Sequence, residues 1–453
     1  MKSEREKFGS RFGVLMAMSG SAIGLGNLWR FPYLTAKNGG AAFILIYLVL
    51  LTVISLPAMI TEYMIGRRSR SNAYTAFERI GYPRMKFIGI IAVTGAVVLL
   101  SFYCVVGGWS LKYLADSLLL KFDSPLSDYS GIFSRFVSAP IEPLVYTFAF
   151  LGLTAAVNSG GVKKGIEKFS KIMMSLLFIV IIILAVRSVT LPGAGEGIRY
   201  LLVPDFSKVT GRTFVDALGQ SFFSLGIGVG TILVYGSYVS SKEDLSATAA
   251  QTAALDSIFA IIAGIAIIPA VFAIARMNGI EPDVNAGPGL VFITLPGIFA
   301  SMPMGKAVAI LFFVSLLLAA ITSSISIFES IVAFIIEVLH IRRRYAVLTG
   351  FLTCAVLGVF CSLSQGILSE VRVFGLQIFD FFDKLSANVL ITASGLLMAL
   401  FAGWIMKKEE FMDEMSAHGH SSTPKWIIGT VYALVRYAVP AGIIGIILST
   451  ILL

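Results

Sequence analysis

The residues of this chain able to bind a ligand chemically gather at two glycine clusters. One is Gly20-Ser21-Ala22-Ile23-Gly24-Leu25-Gly26-Asn27, near the start; the other is Ser224-Leu225-Gly226-Ile227-Gly228-Val229-Gly230, near the middle. Both interrupt hydrophobic segments. In a bilayer a broken helix strands backbone N–H and C=O groups, so breaks survive where they line a protein cavity or hold a ligand. Glycines so spaced also let neighbouring helices approach closely. Here each cluster packs three glycines into seven residues beside polar Ser21 and Asn27, or Ser224 and Thr231, which favours unwinding. An unwound helix offers free carbonyls at the end of its first half, suited to cations. Its second half begins with N–H groups of positive dipole character, suited to a carboxylate. Asn27, Ser224, Thr322 and Ser323 add small oxygen ligands for a hard monovalent cation. Asp256 and Glu62 lie inside apolar stretches, where a charge is costly and usually functional. Nothing here assembles a nucleophile with a base, so no catalytic residues are assigned and no enzyme is expected. The glycine spacing fits neither a dinucleotide fingerprint nor a P-loop, and no organic cofactor is expected.

These residues must be placed by membrane-spanning helices. Of 453 residues, 57% are apolar and 13% charged, and the mean hydropathy is +0.88, which defines an all-α polytopic membrane protein. About eleven spans are expected, near 11–36, 41–66, 87–119, 141–158, 166–187, 213–240, 246–275, 304–339, 345–364, 371–403 and 426–452. The first lacks a cleavage pattern and is expected to be retained. The formal charge of +9 is spread over loops on alternate sides, which argues against a nucleic-acid partner. Lys2, Arg5, Lys7 and Arg11, the Arg67 to Lys86 group, Lys163 to Lys168 and Arg342 to Arg344 should all be cytoplasmic. The N-terminus is then cytoplasmic and, with an odd span count, the C-terminus extracellular. Spans one to five and six to ten each begin with a glycine-broken helix, suggesting two inverted five-helix repeats meeting at a midplane site. The expected division is 1–190, 191–405, and a third part, 406–453, with a cytoplasmic loop and an eleventh helix. Cys104, Cys354 and Cys361 lie in apolar spans and are assigned no chemistry; His418 and His420 read as residues of a solvated loop.

The run Gly20 to Tyr33, GSAIGLGNLWRFPY, followed by Asn38-Gly39-Gly40, resembles the first-helix signature of the neurotransmitter:sodium symporter family, bacterial amino-acid branch. Phe222-Phe223-Ser224-Leu225, Ala319 to Ser324, and Tyr103 ahead of Trp109 extend the match over nearly the whole chain. The resemblance implies a leucine-transporter-like 5+5 repeat in a bacterial plasma membrane, using sodium to import a hydrophobic L-amino acid. It implies two sodium ions. The first would take the Ala22 carbonyl, Asn27, Ser224, Asp256 and the substrate carboxylate. The second would take the carbonyls of Gly20, Ile23 and Ala319 with the hydroxyls of Thr322 and Ser323; a slip to Ala320 and Ser324 is the alternative register. The amino acid would meet the Gly24, Leu25 and Gly26 amides and the Tyr103 hydroxyl, with Ser21, Ala22, Phe223, Ser224 and Ser323 around its polar end. Leu99, Phe223, Gly226, Val229 and Ile327 would line a side-chain pocket roomy enough for aromatic residues, tryptophan included. Monoamine-transporting relatives carry an aspartate where Gly24 stands, so this substrate must bring its own carboxylate.

Chloride-dependent relatives place asparagine where Asp256 stands. Tyr47, Gln220 and Ser224 match their anion site but Ala260 does not, so chloride independence is expected. Arg30 with Asp383 would form an outer gate. Arg5 with Glu337 would close the inner mouth near Phe8, Ser237 and Tyr238. Where many relatives have a proline in span five this chain has Ser175, which keeps that helix continuous. A transporter-like receptor or channel without coupled flux is the competing reading.

Overall fold

The computed structural model describes residues 6–122, 127–279, 289–419, 421 and 423–452. Arg5, His420 and the segment 280–288 therefore lie outside the described residues. Among the described residues eight single helices are long and apolar enough to cross a membrane: Ala41–Ser69, Pro83–Leu118, Val162–Val189, Leu245–Met277, Gly305–Leu339, Arg343–Leu363, Ile378–Ile405 and Lys425–Ser449. These are spans 2, 3, 5, 7, 8, 9, 10 and 11. Span 1 is the pair Arg11–Ala22 and Gly26–Lys37, bent by 57°, and span 4 is Glu142–Ser159. Span 6 is the pair Gly211–Leu225 and Thr231–Ser237. Spans 3 and 8 are the most enclosed, while 5 and 11 turn most of their surface outward. Ile172, Ile179, Ile183 and Val186 on span 5 are exposed, as a lipid-facing surface requires.

Local chemistry sets the ends of these elements. The Ser10 hydroxyl accepts from the Gly13 N–H at 3.0 Å and caps span 1. The Asp244 carboxylate caps span 7 through the Ala247 N–H at 3.0 Å. Burial alone would raise the Asp244 pKa, but the Ser421 and Thr423 hydroxyls and the backbone amides it receives outweigh that and hold it below the usual carboxylate range. Span 1 breaks at Ile23, which is extended at φ −74°, ψ 107°. Span 6 breaks because Gly226, Gly228 and Gly230 all take positive φ, at 68°, 87° and 78°, a region that costs glycine nothing.

Three features depart from the sequence expectation. A separate helix, Tyr129–Ser138, precedes span 4 and meets it at 77°. The charged loop after span 10 contains a helix, Lys408–Met415, pinned by the buried ion pair of Arg67 with Glu414 at 2.6 Å. Five-residue π-helical turns interrupt spans 1, 2, 10 and 11, at Gly26–Arg30, Leu51–Ser55, Phe401–Ile405 and Leu434–Ala438. Between spans 7 and 8 lies the helix Leu290–Ser301, whose Phe292 packs against Trp29, Trp109, Tyr113 and Phe133.

Spans 2 and 6 touch backbone to backbone. A Cβ at Gly66 would stand 1.8 Å from the Leu233 carbonyl oxygen, and one at Gly236 2.6 Å from that of Tyr63. Gly66→Ala is therefore expected to destabilise the fold by about 2 kcal/mol or more. Gly152→Ala, where a Cβ meets nothing within 4 Å, should leave it unchanged. Thermal unfolding in detergent checks both; equal midpoints would remove this contact as a determinant of stability.

Candidate functional site

The two breaks face each other across one cavity of about 60 Å³. Every residue expected around the substrate lines it, from Ser21 to Gly26 on span 1, Leu99 and Tyr103 on span 3, Phe223 to Val229 on span 6, and Ser323 and Ile327 on span 8. Phe222, Ile227 and Thr231, in or beside the second glycine cluster, line it too, as does Ile391, whose sequence neighbourhood carries no signal. The lining holds no acidic side chain. The Tyr103 hydroxyl is buried without a hydrogen-bond partner. A Cβ at Gly24 would stand 3.5 Å from that hydroxyl and 2.6 Å from Ser323 Oγ, so only glycine leaves this polar corner open.

Beside the cavity, spans 1, 6 and 7 bring together a first oxygen cluster. Asp256 is fully buried, and its hydrogen-bond partners are all neutral. Asn27 Nδ2 donates to it at 2.7 Å, the Ser224 hydroxyl at 2.8 Å and the Tyr47 hydroxyl at 3.4 Å. Asn27 Oδ1 in turn accepts the Gly24 N–H at 3.0 Å, which ties the break in span 1 to the cluster. An ionised carboxylate so enclosed is stable only with a compensating positive charge.

A second cluster joins spans 1 and 8. The Ser323 hydroxyl donates toward the Ile23 carbonyl at 3.2 Å and the Gly20 carbonyl at 3.5 Å. The Thr322 hydroxyl donates to the Ala319 carbonyl at 3.1 Å, and a Cβ at Gly20 would lie 3.3 Å from Thr322 Cβ. Ser324 points elsewhere, sharing a hydrogen bond of 2.8 Å with Thr154 on span 4, so the alternative register does not bring its hydroxyl to span 1. The break in span 6 is held from span 2, where the buried Glu62 carboxylate accepts the Gly228 N–H. Ser21 bonds Ser326 at 2.8 Å, a contact that sequence reading missed.

The two mouths differ. At the Arg30 end the structure does not join Arg30 to Asp383 in an ion pair. Arg30 instead lies over the Phe223 ring, 5.1 Å from its centroid, and lines a cavity of about 320 Å³ with Arg212, Asp216 and Asn388. Asp383 does not line that cavity.

At the N-terminal end aromatic and charged residues of several spans pack together. Phe8 meets Tyr235 and Tyr238 edge to face, and its N–H donates to the Tyr238 carbonyl at 3.2 Å. The Tyr238 hydroxyl donates to the buried Glu329 at 2.7 Å, and Glu329 is paired with Arg343, which also reaches Glu6 at 3.4 Å. Glu337 accepts from the Ser71 and Thr75 hydroxyls at 3.0 and 3.1 Å and lies 3.5 Å from Arg79; its expected partner Arg5 falls outside the described residues. The Glu329 and Arg343 pair was legible as an acid within an apolar span and an arginine beyond it, but sequence reading joined neither to the gate. Glu329→Gln should loosen this mouth. A cysteine placed at Ser19, buried on the first half of span 1, should then react with a polar thiol reagent roughly tenfold faster, and an unchanged rate would remove the pair from this role.

Two broken helices facing across a cavity, with oxygen clusters at their breaks, define a secondary transporter. The chain belongs to the Sodium:neurotransmitter symporter family, which it matches over residues 5–125 and 144–452; it is a sodium-dependent transporter of that family and not an enzyme. It is similar to the crystal structure of MhsT in complex with L-phenylalanine, with a TM-score of 0.87 and 39% identity, covering 98% of this chain and 100% of that one. It is 37% identical to the Uncharacterized sodium-dependent transporter YhdH of Bacillus subtilis (strain 168), over 98% of this chain and 97% of that protein. The Sodium- and chloride-dependent taurine transporter of Canis lupus familiaris is 27% identical, over 90% of this chain and 73% of that one.

Proposed function

We propose that the protein couples two sodium ions to the import of hydrophobic L-amino acids, aliphatic and aromatic, by alternating access and without chloride. The observation that carries this reading is the absence of any acid from the cavity lining, together with the unpartnered Tyr103 hydroxyl at the Gly24 corner. A ligand carboxylate there meets N–H groups of the second half of span 1 and the tyrosine hydroxyl. It also lies next to the Asn27, Ser224 and Asp256 cluster, where a sodium ion would be bound jointly by protein and substrate. The second ion would sit among the Gly20, Ile23 and Ala319 carbonyls with Thr322 and Ser323. Asp256 would supply the negative charge that chloride supplies in other relatives.

Leu99, Val229 and Ile327 form an apolar end that suits a hydrophobic side chain, and a relative solved with L-phenylalanine supports the same class. The free space of about 60 Å³ means that an indole requires the 226–230 coil to give. We assign the N-terminal mouth to the cytoplasm of a bacterial plasma membrane and the C-terminus to the outside, following the loop charges. The units 1–190 and 191–405 are taken as the inverted repeats, with 406–453 added.

The test is uptake of labelled tryptophan and leucine into proteoliposomes under a sodium or a potassium gradient, in chloride and in gluconate. Sodium-driven accumulation of both, equal in the two anions, is the expected result. Binding without accumulation would overturn it in favour of a receptor.

A further inference from the structure

We propose that the seam between spans 10 and 11 binds the headgroup of an anionic phospholipid, with Arg436 holding its phosphate. At Gly403, near the end of span 10, a Cβ would stand 2.8 Å from Arg436 Cα, so the missing side chain lets span 11 lie directly against it. The Arg436 guanidinium then sits over the Trp404 ring, 4.4 Å from its centroid, with the Tyr437 ring at 5.7 Å. Trp404 is fixed by a 2.8 Å bond from its ring N–H to the Arg436 carbonyl. Both rings are more than half exposed, at 55% and 60%, on the outward face of the bundle. Tryptophan and tyrosine placed this way mark the headgroup level of a bilayer.

The charge is what requires a partner. Among the described residues no carboxylate pairs with Arg436: its guanidinium donates one hydrogen bond, from Nη1 to the Tyr432 hydroxyl at 3.2 Å, and its Nε is buried without an acceptor. The nearby acids Glu410 and Glu414 are taken by Arg68 and Arg67. An uncompensated arginine on a lipid-facing helix is costly. Lys407, Lys408 and Lys425 are exposed around the same end of the two spans, and Lys408 Nζ lies 5.7 Å over the Tyr432 ring. A phosphate diester fits this arrangement, because the guanidinium fork matches two phosphate oxygens and the lysines deepen the attraction for an anionic leaflet.

The test is native mass spectrometry of the full chain released from micelles holding equal amounts of phosphatidylglycerol and phosphatidylcholine. The wild type should retain phosphatidylglycerol at least about tenfold over phosphatidylcholine, and Arg436→Gln should lose most of that preference. Equal retention by the wild type, or an undiminished preference in the variant, would overturn the proposal. So would a dimer series that vanishes in Arg436→Gln, which would give the seam to a second copy. Inorganic phosphate displacing phosphatidylglycerol from the wild type would likewise assign the seam to a free anion. Should Arg436→Gln not fold, Trp404→Leu removes one ring wall and is read by the same criteria.

Discussion

Asp256→Asn is expected to cut sodium-driven uptake by about 100-fold or more, in chloride and in gluconate alike. Asp256 is fully buried and surrounded by the neutral donors Asn27, Ser224 and Tyr47, so it is the charge available there to balance a cation. Breaking a buried charge pair costs about 3–5 kcal/mol, and each 1.4 kcal/mol is about a factor of ten in affinity. Asparagine keeps the shape and can still bond Ser224, so thermal unfolding should change little and separate loss of coupling from loss of fold. Chloride should not rescue the variant. Ala260 lies one helical turn along the same face of span 7, is fully buried, and offers no donor to an anion. Adding Ala260→Ser should restore part of the uptake in chloride only. Undiminished uptake by Asp256→Asn in gluconate would remove this residue from cation coupling.

Val229→Phe should cost tryptophan transport about 100-fold while alanine transport stays within about threefold of wild type. Val229 is buried at the apolar end of a cavity with about 60 Å³ free, and a phenyl ring there takes the space an indole needs. Each methylene in such a pocket discriminates by about 1–3 kcal/mol, and several are at stake. Gly226 is the poorer position for this test because its positive φ of 68° would add backbone strain to the change in volume. Competition of unlabelled tryptophan and alanine against labelled leucine reads the ratio. A parallel loss of both would mean general damage and not a filled pocket.

Much of the site was legible because a broken membrane helix needs glycine where φ is positive, and glycine clusters in apolar runs are rare enough to read. Gly226, Gly228 and Gly230 are a direct instance. Eight single helices and two bent pairs followed from apolar length, while span 6, split at 226–230 into two shorter helices, was legible through its glycine cluster. Contacts between residues far apart in sequence were harder. Arg67 and Glu414 are 347 positions apart, and each read as an ordinary loop charge until packing buried both. Arg343 read as one of three cytoplasmic loop arginines, yet it turns inward to Glu329. Arg30 and Asp383 share a mouth without touching, because Arg30 lies over the Phe223 ring and faces a cavity that Asp216 lines and Asp383 does not. The π-helical turns left no periodic trace, since one extra residue per turn is too small a shift in an almost uniformly apolar segment.

Two hydroxyls, those of Ser224 and Ser323, each form part of the chamber wall and also part of an oxygen cluster. Whatever enters one compartment therefore alters the energy of the other through a shared atom. Thermodynamic linkage then acts in both directions: an amino acid that tightens the hold on a cation must have its own hold tightened by the same factor. A blocker that fills only the apolar end, touching neither hydroxyl, would bind with an affinity indifferent to salt composition. Ion sensitivity is thus a property of the ligand's polar end as much as of the protein.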